Sequence, residues 1–276
     1  MNRSLCLPAL LCAALPILAN AAIVDAVNGI RTHGCGGKPG VKEPLRRNKT
    51  LDSAAREWSK GGRLKDAMTR VEYRMVNSAS MQVEGAKSER EVVPVLAGNY
   101  CATILDPSFT EIGAYEHGND VWVVVATPFV VPGAKDADAV SRRVLALVNE
   151  ARATPRKCGR TTFAAAPPLK MAALLESAAH IQATDMATHN FFEHTGSDGS
   201  HPADRVTRVG YRWRTVGENI AAGMRDADGV VRGWLGSPGH CANIMGAQFQ
   251  EMGVAYAVDR KSDAGIYWSQ VFATPK

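Results

Sequence analysis

Apolar residues recur at helical spacing near the start of the C-terminal half of the chain. Val140, Val144 and Val148 stand four residues apart, so they would share one side of a helix over 139–152. A second apolar stripe predicts another helix at about 171–189. In each segment the stripe is the face that a helix buries against a core.

The last hundred residues change from a helical period to alternation. A third helix is predicted after Asp226 or Asp228, either of which can cap it, with its end near Pro238. Apolar residues then alternate with small ones over 252–256, and 266–272 is rich in aromatic and branched residues. Both stretches are typical of strands.

The N-terminal half has the same kinds of element. Its residues 51–60 have a helical pattern, and 121–125 form a short apolar run typical of a buried strand. Helices that flank a small antiparallel sheet in each half predict an α+β fold.

Short signatures occur twice in the chain. Cys101-Ala-Thr-Ile104 returns 140 residues later as Cys241-Ala-Asn-Ile244. At the same offset, three further positions return unchanged: Phe109, Glu111 and Gly113 as Phe249, Glu251 and Gly253. We therefore predict tandem domains over 22–131 and 138–276, joined by a linker over 132–137 with turn residues. The first copy is shorter through its middle, roughly between 58 and 93.

Composition and charge limit the classes of function. The chain is 46% hydrophobic and 21% charged, as in globular proteins, and its formal net charge is +5. Because no run of basic residues is present, we predict no nucleic-acid partner; weak attraction to an anionic envelope surface stays open.

The first residues have the pattern of an export signal. Arg3 precedes an apolar run from Leu5 to Leu18, and Ala19-Asn20-Ala21 fits a cleavage site. We predict a signal peptide over 1–21, no transmembrane span, and a protein that works in the periplasm or outside the cell. The run is too short for a permanent membrane helix.

Four cysteines remain after that segment, namely Cys35, Cys101, Cys158 and Cys241. In an exported protein they predict two disulfides, for which three connectivities exist. The repeat aligns the first cysteine of each copy and the second of each copy, which favours Cys35–Cys101 and Cys158–Cys241. Each would contribute about 3–5 kcal/mol in the chain-entropy model. Four buried free thiols are the alternative.

Candidate chemistry is confined to the second copy. His194, Glu218 and His240 lie in segments with glycine or proline beside them, which predicts positions on turns or at the ends of elements. The first copy has Tyr100 where the second has His240. The three residues are too far apart for a local ligand motif, so only the tertiary fold can bring them together.

An ordered set of motifs identifies a family resemblance. Phe192-Glu-His194, Asp204-Arg205-Val206, Gly217-Glu-Asn-Ile220, Ser237-Pro-Gly-His240 and Tyr267-Trp268-Ser-Gln270 together resemble the bacterial exported branch of the CAP superfamily. The resemblance implies an α-β-α sandwich and a cleft lined by two histidines and two acidic residues. By position these are His194, His240, Glu218 and Asp204, and the first copy would be a degenerate CAP-like repeat without the site.

Two neutral imidazoles in one cleft suit a divalent transition metal. Two nitrogen ligands are fewer than a zinc enzyme usually has, so we expect weak, exchangeable Zn²⁺ bound by His194 and His240. Glu218 and Asp204 would orient the imidazoles. Affinity should fall as the pH drops through about 6.5, because a protonated imidazole cannot coordinate.

Several functions compete on this basis. The first is a secreted, non-catalytic binding module for a metal or for a small apolar or lipid-like ligand; the resemblance alone implies the lipid. The second is a metal-assisted hydrolase of peptide or cell-wall material, with Glu218 as general base. The third is a structural or toxin-like exported protein, stabilised by disulfides and recognised through its surface loops. The two histidines and two acids can also simply form a hydrogen-bonded cluster that positions loops.

Overall fold

The computed structural model of the protein describes residues 20–276. The predicted signal peptide lies outside the described residues except for Asn20 and Ala21. The chain forms two compact units that divide between Phe129 and Val130, within two residues of the predicted linker. Over residues 20–276, no helix has both the length and the apolar character needed to cross a bilayer.

The first unit contains short helices around one sheet of four strands. Its elements in chain order are α1 (Asn20–His33), β1 (Arg46–Arg47), α2 (Lys49–Trp58), α3 (Leu64–Arg70), β2 (Met75–Val83), α4 (Glu89–Asn99), α5 (Cys101–Ile104), β3 (Glu111–His117) and β4 (Asp120–Pro128). The strand order is β1-β3-β4-β2, in which β1 is parallel to β3 and the other pairs are antiparallel.

Strand β4 shows why helices cover this sheet on both faces. Successive side chains of a strand point to opposite faces. Val123 belongs to a buried cluster with residues of α1, α4 and α5, whereas its neighbour Val124 belongs to a cluster with residues of α2 and α3. The continuous apolar run of the sequence is therefore a strand buried on both faces.

The second unit also combines helices with a four-stranded sheet. A 3₁₀ turn (Ala134–Asp136) precedes α6 (Ala137–Arg152), β5 (Arg156–Cys158), β6 (Thr161–Phe163), β7 (Lys170–Met171), α7 (Ala173–His189), α8 (Pro202–Arg208), β8 (Trp213–Ala222), α9 (Ala227–Gly236), α10 (Pro238–Met245), β9 (Glu251–Val258) and β10 (Ile266–Pro275). Its four-stranded sheet has the order β7-β9-β10-β8, so β8 is an edge strand. Strands β5 and β6 form a separate hairpin.

The sequence-based α+β class and the two disulfides are confirmed. The helices expected over 139–152 and 171–189 are α6 and α7, and Asp226 caps α9 through the N–H of Gly229. Cys35 is bonded to Cys101 and Cys158 to Cys241. The third predicted helix, α9, ends at Gly236, near Pro238 as expected. Pro238 itself begins the next helix, α10, because proline at the first helical position needs no N–H partner.

Each unit is held by a buried arginine in the same way. Arg31 in α1 donates to the carbonyls of residues 43, 104, 106 and 109, and Arg152 in α6 donates to those of residues 167, 244, 246 and 249. Both side chains are almost fully buried. A guanidinium can satisfy several carbonyls at once. Arg31 therefore fixes the chain around the end of α5, and Arg152 fixes it around the end of α10.

Strand register shows which residues of the two units occupy equivalent positions. In the first unit Val124 pairs with Gly113 on one side and Ser80 on the other. In the second, Val271 pairs with Gly253 and with Glu218. Ser80 is thus the counterpart of Glu218.

Candidate functional site

Glu218 is the centre of the candidate site and lies in the middle of edge strand β8. Its side chain is only 2% exposed. The expectation of a turn position is therefore wrong for this residue. A buried carboxylate is expensive unless donors surround it, and Glu218 has three. His194, Arg205 and Ser269 all contact its two oxygens.

His194 approaches Glu218 from the loop after α7. That helix ends at Asn190, which adopts the left-handed conformation (φ 53°) that asparagine tolerates better than most residues. The Gln182 amide of α7 then holds the loop by donating to the carbonyl of Glu193 (2.6 Å). Nδ1 of His194 lies 2.8 Å from Oε1 of Glu218, and half of the imidazole is exposed. The carboxylate can only accept, so Nδ1 carries the proton and Nε2 is the nitrogen left with a lone pair.

Arg205 supports the same carboxylate from the protein interior. It lies in α8 and its side chain is 1% exposed. Nη2 donates to Oε2 of Glu218 and to the carbonyl of His194, both at 2.9 Å. Nη1 donates to the carbonyl of Ser200 (2.8 Å). One guanidinium therefore ties the carboxylate to both ends of the loop that holds His194.

His240 comes from the opposite helical layer. It is the third residue of α10, and the next residue is joined to β5 by the Cys158–Cys241 disulfide. Burial lowers the pKa of His240, and the nearby His194 lowers it further. The imidazole is therefore neutral at neutral pH, and the two histidines are close enough to interact electrostatically.

Buried amides fix the backbone of α10 against β8. Asn219 points to the other face of the strand from Glu218, and its Nδ2 donates to the carbonyl of His240 (3.2 Å) and to Gln270 (3.1 Å). Asn243 donates to Oδ1 of Asn219 (2.9 Å) and to the carbonyl of Glu218 (3.1 Å). These bonds link the positions of both histidine-bearing elements to the same edge strand.

Asp204 is placed differently from the other predicted cleft residues. It is exposed in the first turn of α8, where its carboxylate accepts from the N–H of His201 (2.9 Å). In the described part of the chain, none of its hydrogen bonds reaches His194, Glu218 or His240. Its observed role is to cap α8.

The described residues do not form a closed metal site. His194 and His240 each offer an imidazole nitrogen, and the contact between Nδ1 of His194 and Glu218 selects one tautomer. Across residues 20–276, no three His, Cys, Asp or Glu side chains converge as a metal-binding group. A metal held here would have two protein ligands, and the remaining positions would be open to water.

A cavity of about 470 Å³ lies beside the candidate site. Arg205, Ser200 and residues of α7 and the following loop line it, whereas His194, Glu218 and His240 do not.

Sequence reasoning missed the supporting polar residues, of which Arg205 and Ser269 contact Glu218 directly. A usable signal exists in β10, where Ser269 and Gln270 interrupt an otherwise apolar strand. Polar side chains at buried strand positions must find partners, so they indicate a network.

Comparison with known proteins identifies a family over the second unit. The family model of the CAP, or cysteine-rich secretory protein, family matches residues 145–272. The YkwD protein of Bacillus subtilis is 33% identical over 105 residues, which are 38% of this chain and 39% of that protein. The membrane protein YlbC of the same organism is 33% identical over 88 residues, or 32% of this chain and 23% of that one. The chain thus spans about two fifths or less of the curated relatives it matches.

A solved structure extends the likeness of fold to both units. Na-ASP-1 is similar with a TM-score of 0.53, covering 95% of this chain and 91% of that one, at 12% sequence identity. At this identity the similarity concerns the fold alone. The α-β-α arrangement, the ordered motifs and the match over residues 145–272 lead to one conclusion: the C-terminal unit of this chain belongs to the CAP, or cysteine-rich secretory protein, family.

Proposed function

We propose that the C-terminal unit is a non-catalytic binding module whose cleft holds a divalent metal ion, Zn²⁺ foremost, through His194 and His240. The observation that supports this most is the 2.8 Å contact between Nδ1 of His194 and Glu218. It leaves Nε2 as the coordinating nitrogen, as in carboxylate–histidine–metal arrangements. The lowered pKa of His240 keeps the second imidazole neutral.

Binding should be weak and exchangeable because two imidazoles provide only half of a tetrahedral shell. The bound ion would supply a Lewis acid that an anionic ligand group can approach. The chain's own residues orient one imidazole through Glu218 and fix the other through the backbone of α10.

Calorimetry with ZnCl₂ at pH 7.5 tests the proposal on the full chain. We expect one weak site that disappears in the His194→Ala/His240→Ala variant. His180→Ala is the matched control, because His180 is an exposed histidine of α7 outside the site. Absence of zinc binding by the wild type, or unchanged binding by the double variant, would contradict the proposal.

A small apolar or lipid-like ligand is the second candidate for the cleft. Phe192 stands two residues before His194 and is 51% exposed, which is unusual for so large an apolar side chain. Native mass spectrometry after mild purification would detect a co-purifying lipid. Loss of that species in Phe192→Ser would assign it to this rim.

A hydrolase reading is less well supported by the contacts of Glu218. A general base needs a free oxygen near its proton donor. Oε1 of Glu218 is occupied by His194, and Oε2 by Arg205 and Ser269. A zinc-dependent hydrolysis that Glu218→Gln abolishes without loss of folding would nevertheless establish the enzyme.

We further propose that the protein is exported and that its first unit is a degenerate CAP-like repeat. Two disulfides support an oxidising compartment, the periplasm or the cell exterior. The first unit has Ser80 and Tyr100 where the second has Glu218 and His240. Its α2–α3 connection, residues 59–63, is much shorter than the α7–α8 connection that carries His194. Tyr100→His should therefore create no zinc site.

A further inference from the structure

We infer that Arg205 is a positioning residue of the cleft. Through Glu218, Arg205 fixes which nitrogen of His194 faces the ligand. The inference rests on the proposed function for its ligand. Its structural part concerns the metal-free protein and can be tested separately. Two independent observations support it, namely the contacts of Arg205 and the comparison of the two units.

The contacts show what Arg205 holds in place. Its guanidinium reaches the carboxylate of Glu218, the carbonyl of His194 and the carbonyl of Ser200 within 2.8–2.9 Å. Glu218 in turn accepts from Nδ1 of His194. Arg205 thus fixes the backbone of His194 and also the acceptor of its imidazole proton. A planar guanidinium does this better than an ammonium, because its donors are in a rigid fork.

The first unit provides an internal comparison for the helix that carries Arg205. Helices α3 and α8 both have seven residues, and each is followed by a residue of positive φ. A tyrosine comes next in each unit. Tyr73 donates to Glu111, the first residue of β3, and Tyr211 donates to Glu251, the first residue of β9. The three shared positions of the helices are Asp66, Thr69 and Arg70 in α3, and Asp204, Thr207 and Arg208 in α8.

Within this shared frame, Arg205 is replaced by Ala67. The strand position of Glu218 is likewise Ser80. Arginine and glutamate are therefore both present in one unit and both missing from the other. A buried charge without its partner is strongly destabilising, so the joint absence of arginine and glutamate from the first unit supports a shared role for the pair in the second.

The comparison also separates frame from site. Arg152 has its counterpart Arg31, with matching carbonyl acceptors, in a unit that lacks the histidines. Asp204 has its counterpart Asp66 in that same unit. Buried Arg152 and helix-capping Asp204 therefore belong to the fold, whereas Arg205 belongs to the cleft.

The test compares Arg205→Met and Arg205→Lys with Arg208→Met, the control from the same helix. The first readout is the imidazole ¹⁵N spectrum of His194 in the metal-free full chain, above the pH at which imidazole protonates. In the wild type and in Arg208→Met we expect the proton on Nδ1. In Arg205→Met we expect it to distribute between Nδ1 and Nε2, with Arg205→Lys intermediate because lysine cannot reach all three acceptors.

The second readout is Zn²⁺ affinity by calorimetry, for which we expect a loss of about 10–100-fold in Arg205→Met. A wild-type proton position together with wild-type affinity in Arg205→Met would overturn the inference. If that variant does not fold, the same result in Arg205→Lys would overturn it. If the wild type binds no zinc, the metal proposal fails, while the ¹⁵N comparison still decides the role of Arg205.

Discussion

Replacing Arg152 by methionine removes the donor that closes the second unit around α10. The guanidinium donates to the carbonyls of Pro167 (2.7 Å), Ile244 (2.6 Å), Gly246 (3.0 Å) and Phe249 (3.3 Å). Methionine replaces the alkyl stem of arginine but has no donor, so all of these acceptors lose their partner.

The magnitude follows from the acceptors. A buried polar group that loses its partner costs about 1–3 kcal/mol, so four carbonyls could cost up to about 12 kcal/mol. Two effects reduce this sum. Carbonyls near the surface regain water, and burial lowers the pKa of Arg152, which shows that the site disfavours its charge and that removing the charge recovers some free energy. We expect a net loss of about 4 kcal/mol, a large part of a typical stability of about 5–15 kcal/mol.

The assay is urea unfolding monitored by hydrogen exchange with mass spectrometry. Peptides from each unit report the protection of that unit separately. Arg152→Met should lower protection in residues 130–276, and Arg31→Met should do the same in residues 20–129. Exposed Arg142→Met is the control and should change stability by less than about 0.5 kcal/mol. A loss below about 1 kcal/mol in either buried variant would refute the reasoning. Equal loss of protection in both units would refute the separate roles of the two arginines.

Three further predictions concern the second unit. Because the pKa of His240 is held below its ordinary 6.5, the unfolded chain binds more protons than the folded protein as pH falls through that value, so the free energy of unfolding should decrease there; His240→Gln should flatten this dependence in urea titrations at pH 5–8, and equal slopes would disprove it. Gly253→Ala would bring a Cβ within 2.1 Å of the α7 backbone and should cost about 3 kcal/mol by thermal unfolding, whereas Gly239→Ala, with open space in α10, should be neutral or stabilising. Cys158→Ser combined with Cys241→Ser should cost about 4.5 kcal/mol in urea unfolding and weaken zinc binding, since α10 loses its tether; unchanged stability would exclude a structural role.

The elements of the fold were largely readable from the chain because each has a local cause. The four-residue spacing of Val140, Val144 and Val148 predicted α6. Alternation over 252–256 predicted β9, and the aromatic and branched residues over 266–272 predicted β10. The short helix α8 and edge strand β8 were not predicted. Neither has a clear period of its own, because Arg205 in α8 and Glu218 in β8 are polar residues at buried positions.

The sequence predicted which residues belong to the candidate site but not how they are arranged. His194, Glu218 and His240 were identified from motifs, but the expectation that Glu218 lies on a turn failed. Local residue types cannot show that a carboxylate is buried, because that depends on donors such as Arg205 from another element. Asp204 was assigned to the cleft by position, and the structure instead shows it capping α8.

The sequence by itself determined the α+β class and the pairing of the cysteines, and it identified His194 and His240 as candidate site residues. It could do so because repeats, periodicity and residue chemistry are local properties of the chain. Only the tertiary structure decided which donors meet the carboxylate of Glu218, and that Arg205 is among them. Contacts between elements distant in sequence arise from packing, and a linear pattern does not encode the distance between two side chains.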